Sequence, residues 1–534
     1  MRPSKHASGT DAATIDRHGL DCARYTFLEK FMLRKFAVSL AVTAALASSA
    51  LACTTIVIDK DATVDNGYLI ARSVDGHQNS SQWVVNHTAK KNQKGMYRNK
   101  DLDANGTDFE YPLPETALAF SSTPSWIAGI KNPEMFNDGA SGFNELGVGL
   151  SGTESIYASD KALSFDPYTD AGIGEVDITN VILPRAHSAR EGVKILGSII
   201  EKHGACEGFG VAFVDKDELW YLETGTGHQW IARRIPKAQY LASGNQGRLQ
   251  EYDPKSDDFM ASPTLVQFAV EHGLYNPKKD GEFNFAKAYT RDDARDRTYN
   301  DPRVWVIQKS FNPSMKQTID HGRDFPVFVK PESKLTLDDV KSAMRNHYEG
   351  ESFDPYTNGL KPDAPNRPIS VFRAYQTHIL QVRPELPKEI GEIRYLSLGM
   401  ADLSVFVPFY QGLTTIPASY QTGTTDADDK SSFWKIRKLQ GVVMTDYPNL
   451  APMVKSAYKD FEAKMAKDQA QMEAQYMKLV KKNPKAAQKL LNNFNVQVLR
   501  EADELTDRLF NQVMTVQINN MQNSIPFNNR KHFD

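Results

Sequence analysis

A cysteine stands where a secretory-type signal ends and the first β-strand pattern of the chain begins. From Met32, two basic residues, Arg34 and Lys35, are followed by a mostly apolar run that ends in Ala50-Leu51-Ala52. A basic start, a short apolar run and an A-x-A ending characterise a cleavable signal, and the run is too short to span a bilayer comfortably. We therefore expect cleavage after Ala52. The fold must then begin with a strand whose first residue, Cys53, carries both a thiol and a free α-amine.

The residues before this junction are not expected to belong to the fold. Residues 1–31 are polar and unlike a signal start, so we interpret them as a mis-called start or a presequence, with the signal at 32–52. Lipidation of Cys53 is the competing interpretation, and it would acylate the amine. Lipoprotein signals usually carry Leu three positions before the cysteine; here that position is Ala50, and Leu51 comes one position late.

Composition argues against a nucleic-acid-binding protein and against a membrane-spanning one. The chain has 534 residues and a formal net charge of −3, which offers no basic surface for a nucleic-acid partner. After Cys53 no apolar stretch is long enough to span a membrane, so no membrane span is expected. Of three cysteines, only Cys53 and Cys206 follow the predicted cut, and in an oxidising compartment a disulfide between them is the structural alternative to a reactive Cys53.

The order of predicted elements favours an α+β fold. The β-branched run at 54–58 and the stretch YLIARSVD at 68–75 predict a hairpin headed by Cys53, whose loop length the sequence leaves open. Strands, then helices, then further strands indicate α+β layers rather than repeated βαβ units. Among the late strands we place one at 370–372.

The end of the chain has a different composition. Residues from about 450 to 523 are rich in Ala, Lys, Gln, Met and Glu, and Asn483-Pro484 is typical of a helix start. We expect a main domain at 53–445 and a helical extension at 446–534 formed by two long helices. Met472, Tyr476 and Leu479 share one helical face and are expected to pack against the main domain.

Cys53 and the R-x-x-D of the second strand form a set suited to acyl transfer. A guanidinium at Arg72 favours the thiolate over the thiol. An α-amine has an unperturbed pKa of about 7.7–8.0 and can act as a base near neutral pH. Asp75 can hold that amine by a charge-assisted hydrogen bond. The spacing alone is weak, because a surface ion pair explains it almost as well.

The sequence predicts no catalytic metal and no cofactor. It contains no H-E-x-x-H and no close histidine pair with ligand spacing. The sequence does not decide whether metal ligands that are far apart along the chain come together in space.

The chain resembles peptidase family C69, a group of dipeptidases that are N-terminal-nucleophile hydrolases similar to penicillin V acylase and bile-salt hydrolase. The resemblance covers about Cys53 to Tyr420. The stretches that carry it are CTTIVIDKDATVDNGYLIARSVD (53–75), GFNELGVGLSGTES (142–155), EGFGVAFVDKDELWYLETGTGHQWIARRIP (207–236), YNDPRVW (299–305), RPISVFR (367–373) and VFVPFY (405–410).

The resemblance implies a four-layer αββα sandwich with Cys53 as nucleophile and with Arg72 and Asp75 matching the acylases' R-x-x-D. Asn245 matches an asparagine that those relatives use near the oxyanion, although a plain turn asparagine before Gly247 is the alternative. Glu154 stands where the acylases carry Tyr or Asn, so a role in binding a substrate amino group is expected instead. Arg367 resembles a late family arginine only loosely, and we interpret it as part of a structural ion pair.

We therefore expect an exported cysteine dipeptidase that hydrolyses small peptides through a thioester on Cys53. An N-acyl amide acylase of the same fold and a non-catalytic surface lipoprotein anchored at Cys53 are the alternatives. The expected partner is a small peptide substrate in the periplasm or outside the cell. The sequence leaves the oligomeric state open, a homo-oligomer included.

Overall fold

The structure, a computed structural model, describes residues 53–76, 80–99, 107–126, 139–319, 321–357, 361 and 364–524, except for the side chains of Thr153 and Glu154. The strands are β1 Thr54–Ile58, β2 Tyr68–Asp75, β3 Val85–His87, β4 Met96–Arg98, β5 Glu110–Pro112, β6 Phe120–Ser122, β7 Ser141–Phe143, β8 Gly149–Ser155, β9 Phe209–Val214, β10 Leu219–Thr224, β11 Trp230–Arg234, β12 Tyr240–Ser243, β13 Phe259–Ala261, β14 Phe328–Val329, β15 Ala374–Val382, β16 Glu392–Leu398 and β17 Val407–Tyr410.

The α-helices are α1 Asp160–Leu163, α2 Glu175–Ile182, α3 Ala189–His203, α4 Leu265–Glu271, α5 Phe285–Tyr289, α6 Asp296–Tyr299, α7 Asp301–Phe311, α8 Leu337–Arg345, α9 Lys388–Gly391, α10 Ser432–Val443, α11 Tyr447–Leu479 and α12 Pro484–Ser524.

Two antiparallel sheets contain most of the strands. The larger has the order β14-β12-β1-β2-β15-β16-β17, and the smaller has the order β13-β11-β10-β9-β8-β7. Strands β1, β2, β15 and β16 are each paired on both sides, so their backbone groups are hydrogen-bonded within the sheet. The protein is therefore α+β with antiparallel sheets, as the order of predicted elements indicated.

Strand β1 is apolar along its length because both of its faces are covered. Ile56 and Ile58 lie in a cluster with residues of α7 and α8, whereas Val57 lies in a cluster that also contains residues of β9 and β10. A strand buried on both faces has a continuous hydrophobic run instead of alternation. The TTIVI pattern of β1 follows from this position.

Three of the clusters of buried side chains connect the two sheets with each other and with helices. The first joins the larger sheet to α7 and α8, and the second contains residues of both sheets, such as Leu241 and Tyr221. The third joins the smaller sheet to α2 and α3 through residues such as Val211 and Val193. Among the described side chains, the clusters therefore join helices to the larger sheet, the two sheets to each other, and the smaller sheet to helices.

The helices at the end of the chain pack on the larger sheet. Met472 and Tyr476 of α11 are buried in the same cluster as Ile393 of β16, and Leu479 packs against that cluster, which confirms the packing role predicted for this face. The strand predicted at 370–372 is wrong: these residues form a turn, and β15 begins at Ala374. Within the ranges given above, no helix combines the length and apolarity that crossing a membrane requires.

Candidate active site

Cys53 immediately precedes β1, and its side chain is fully buried. The connection from β1 to β2, whose length the sequence left open, spans residues 59–67 and includes a 3-10 turn at Lys60–Ala62. Its register pairs Thr54 with Ser73, and the Thr54 backbone N–H donates to Ser73 Oγ at 3.0 Å. The far end of β2 is thereby brought alongside Cys53.

Arg72 of β2 reaches the thiol directly. Its Nη2 lies 3.4 Å from Cys53 Sγ and donates to Glu175 Oε1 at 2.7 Å, with side-chain exposures of only 1% for Arg72 and 4% for Glu175. A guanidinium at this distance favours the thiolate. Glu175, the first residue of α2, fixes the guanidinium and offsets part of its charge. Sequence reasoning missed Glu175, because nothing in its local pattern connects it to β2.

A second carboxyl group lies beside Glu175. The Glu175 backbone N–H donates to Glu207 Oε1 at 2.9 Å. Burial, together with the nearby charges of Glu175 and Asp177, raises the pKa of Glu207 to about 7.

Replacing Arg72 by alanine is expected to move alkylation of Cys53 by iodoacetamide to higher pH, by about one unit, because the charge that favours the thiolate is removed. Labelling rates measured across pH by intact mass test this. Arg98→Ala is the matched control, since Arg98 is 45% exposed and pairs with Glu110. An unchanged profile for Arg72→Ala would limit Arg72 to a structural role.

Asp75, at the end of β2, is fully buried and accepts a hydrogen bond from Arg367 Nη2. Burial and the nearby charge of Arg373 together lower the pKa of Arg367 to about 9, although Cys53 acts in the opposite direction. Arg367, interpreted from the sequence as part of a structural ion pair, does form an ion pair, and its partner is a predicted site residue.

Asn245 follows β12, which pairs with β1 on the side opposite β2. Its backbone N–H donates to Asn300 Oδ1 and its carbonyl accepts from Asn300 Nδ2, both at 3.0 Å. Arg303 Nη2 donates to Asn245 Oδ1 at 2.8 Å. Because the amide is planar, fixing its oxygen also fixes the direction of its Nδ2 donor.

Arg303, in the first turn of α7, links these groups. Its Nη1 donates to the Cys53 carbonyl oxygen and, at 2.9 Å, to Thr54 Oγ1. Gly244, the residue before Asn245, leaves room for this guanidinium, since a Cβ at position 244 would lie only 3.0 Å from Arg303 Nη2. Arg303 lies in the YNDPRVW stretch of the family resemblance but is not among the predicted site residues. A charged residue within such a stretch is the sequence signal that could have identified it.

The sequence also made predictions about Glu154 and about the two cysteines that follow the expected cut. Glu154 belongs to β8, where its backbone pairs with Gly210, but its side chain lies outside the described residues. Cys53 and Cys206 are not joined by a disulfide. Burial raises the pKa of the Cys206 thiol far above its usual value, and Glu207 adds to this effect, so Cys206 is a poor nucleophile.

One set of possible metal ligands occurs among the described side chains: His347, Glu349 and Asp402, whose ligand atoms lie within 4.8 Å of one another. Lys455 Nζ is 2.7 Å from Asp402 Oδ1 and also bonds Glu349, so an ammonium group already balances these carboxylates. His347 Nδ1 lies 2.9 Å from Asp354 Oδ1. The set joins the segment after α8 to the 3-10 turn at Ala401–Leu403 and contains none of the predicted site residues.

Comparison with known proteins gives a consistent assignment. The sequence model of peptidase family C69 matches residues 52–460. A "Probable dipeptidase" of Salmonella dublin is 47% identical over 398 residues, which cover 74% of this chain and 87% of that protein. "Dipeptidase A" of Lactobacillus helveticus is 34% identical (72% and 80% covered), and "Probable dipeptidase B" of Lactococcus lactis is 33% identical (72% and 79% covered). The chain therefore belongs to peptidase family C69 and is a hydrolase of peptide bonds.

Proposed function

We propose that the protein is an exported cysteine dipeptidase that hydrolyses small peptides through a thioester on Cys53. The observation that carries the proposal is the contact of two arginines with this residue, one of which also holds the Asn245 amide. Arg72 Nη2 lies 3.4 Å from its thiol, Arg303 binds its carbonyl oxygen, and the same Arg303 orients the Asn245 amide. This is the arrangement expected of a nucleophile with a polarising cation and a positioned oxyanion donor.

We infer that the sheets and helices form the four-layer arrangement of N-terminal-nucleophile hydrolases. The cluster shared by both sheets, and the separate clusters that each sheet shares with helices, support this inference. In that arrangement residues 53–445 are the catalytic domain and 446–534 are a helical extension, and cleavage after Ala52 exposes the α-amine of Cys53 in the periplasm or outside the cell.

In the proposed reaction the Cys53 thiolate attacks the carbonyl carbon of the peptide bond, and the oxygen becomes an oxyanion that accepts from Asn245 Nδ2. The Cys53 α-amine carries the thiol proton to the nitrogen of the leaving amino acid, and the C–N bond breaks to give a thioester. Water then attacks the thioester, the same amine takes its proton, and the thiolate leaves. Asp75 and its partner Arg367 form the buried charge pair beside these groups.

The relatives' names favour dipeptides over N-acylated compounds as substrates, since the proteins of Salmonella dublin, Lactobacillus helveticus and Lactococcus lactis are all described as dipeptidases. A surface lipoprotein is the alternative from another class. Lipidation would convert the Cys53 amine into an amide and remove the proposed base.

A substrate panel tests the proposal. The mature protein is incubated with free dipeptides, the same dipeptides carrying an N-acetyl group, and N-acyl amides, and products are followed by mass spectrometry together with the intact mass of the protein. We expect hydrolysis of free dipeptides and a mature chain that starts at unmodified Cys53. Preferential cleavage of the N-acylated compounds would assign an acylase, and a lipidated N-terminus without turnover would assign a lipoprotein.

A further inference from the structure

We propose that Arg373 binds the C-terminal carboxylate of the dipeptide and so makes a free carboxyl terminus a requirement of the enzyme. The proposal rests on the dipeptidase function proposed above and adds a substrate-binding residue to that site.

Arg373 lies at the end of β2 that adjoins Cys53. The Gly76 backbone N–H, one residue after Asp75, donates to the Arg373 carbonyl oxygen at 3.1 Å. Arg373 itself immediately precedes β15, whose first residue Ala374 pairs with Asp75. The backbone of Arg373 is therefore anchored directly beside the Asp75–Arg367 pair.

The side chain of Arg373 turns toward the same site. Its Nη2 donates to the Tyr299 hydroxyl at 2.7 Å. The Tyr299 ring centre lies 5.2 Å from the guanidinium carbon of Arg303 and 5.2 Å from that of Arg367. Tyr299 thus connects Arg373 to Arg303, the residue that binds the Cys53 carbonyl oxygen.

The charges around Cys53 favour an anionic ligand group at Arg373. Arg72 is matched by Glu175 and Arg367 by Asp75. In the part of the chain that the structure describes, the hydrogen bond of the Arg373 side chain goes to a neutral hydroxyl, and no carboxylate forms an ion pair with it. The residue is partly exposed.

A dipeptide requires a carboxylate-binding residue near the nucleophile. Only one residue follows the scissile bond, and one residue spans about 3.8 Å, so the terminal carboxylate must bind close to the nucleophile. A guanidinium is well suited to that task because its parallel N–H groups bind both carboxylate oxygens. The bond to Tyr299 engages one of the five N–H donors of Arg373 and orients the others.

The test compares a dipeptide with its C-terminal amide in the mature wild-type enzyme and in Arg373→Gln. For the free acid, we expect kcat/KM of Arg373→Gln to fall about 10- to 100-fold, mainly through KM, because a charge-assisted hydrogen bond is removed. For the amide, which already lacks the charge, we expect a change of less than about threefold. Arg373→Lys should recover part of the activity on the free acid.

Arg291→Gln is the matched control, since Arg291 is also partly exposed but pairs with Asp293 and Asp296. It should leave the ratio of free acid to amide unchanged. Tyr299→Phe, which removes only the hydroxyl that holds Arg373, should cause a smaller loss restricted to the free acid, and it decides the question if Arg373→Gln does not fold. Equal losses on acid and amide in these variants would overturn the proposal. Failure of the wild type to cleave any dipeptide would instead refute the proposed function.

Discussion

Replacing Cys53 by alanine is expected to lower kcat for dipeptide hydrolysis on the order of 10,000-fold or more while the protein stays folded. Removal of a nucleophile eliminates the covalent route altogether, and only binding and oxyanion stabilisation remain. The side chain is small and buried, so its loss removes one sulfur atom from the interior and leaves both strand pairings of β1 in place. Initial rates with a dipeptide, together with circular dichroism, measure the two effects separately.

Cys206→Ala is the control for this experiment. It also removes a thiol, but one whose burial strongly disfavours the thiolate, and we expect most of the activity to remain. If Cys53→Ala retained near-normal rates, or if Cys206→Ala lost them, the nucleophile would have been assigned wrongly.

Replacing Asn245 by aspartate is expected to lower kcat about 100- to 1,000-fold with KM changed only a few-fold. Loss of one oxyanion donor typically has this effect, because the interaction strengthens only as the tetrahedral intermediate forms. Aspartate has nearly the same shape as asparagine and keeps an oxygen for Arg303 Nη2, so the substitution preserves the arginine's bond. It replaces the Nδ2 donor by a carboxylate oxygen, whose charge also opposes the oxyanion. Steady-state kinetics on a free dipeptide give both constants.

An exposed asparagine provides the comparison. Asn86 on β3 faces solvent, and Asn86→Asp adds the same charge without touching the site, so its kinetics should match the wild type. A fall in kcat of less than about threefold for Asn245→Asp would return Asn245 to the role of a turn residue.

Local sequence patterns predicted the parts of the fold that depend on neighbouring residues. The β-branched run after Cys53 forms β1, and YLIARSVD forms β2 over the predicted residues. The Pro484 start of the last helix was also visible, because proline suits the first helical turn. Met472 and Tyr476 were recognised as packing positions from their helical spacing alone.

The rest of the fold and of the candidate site depends on contacts between segments that are distant along the chain. The periodicity of apolar residues carries no information on such contacts. Arg303 binds the carbonyl oxygen of a residue 250 positions away, and Glu175 pairs with a side chain 103 positions away. The Ser-Val-Phe stretch at 370–372 resembles a strand, yet the chain bends and turns there so that β15 starts at Ala374 beside Asp75. Family resemblance adds Asn245 to Cys53, Arg72 and Asp75, which local sequence already singles out, because resemblance carries information on tertiary position that spacing lacks.

The central claim is that Cys53 acts as an N-terminal nucleophile whose own amine is the base. A form of the protein that begins at Ala52 keeps the thiol, Arg72 and Asn245, but converts that amine into an amide nitrogen with no usable lone pair. A form that begins at Cys53, with its end verified by N-terminal sequencing, is the matched control.

The measurement is the rate of dipeptide hydrolysis by these two forms under identical conditions, with intact mass confirming that the longer form stays uncleaved. Loss of a positioned general base typically lowers the rate about 100- to 10,000-fold. We predict a loss of that size for the Ala52 form and full activity for the Cys53 form. Equal rates for the two forms would contradict the account, because the α-amine of Cys53 would then have no part in the reaction.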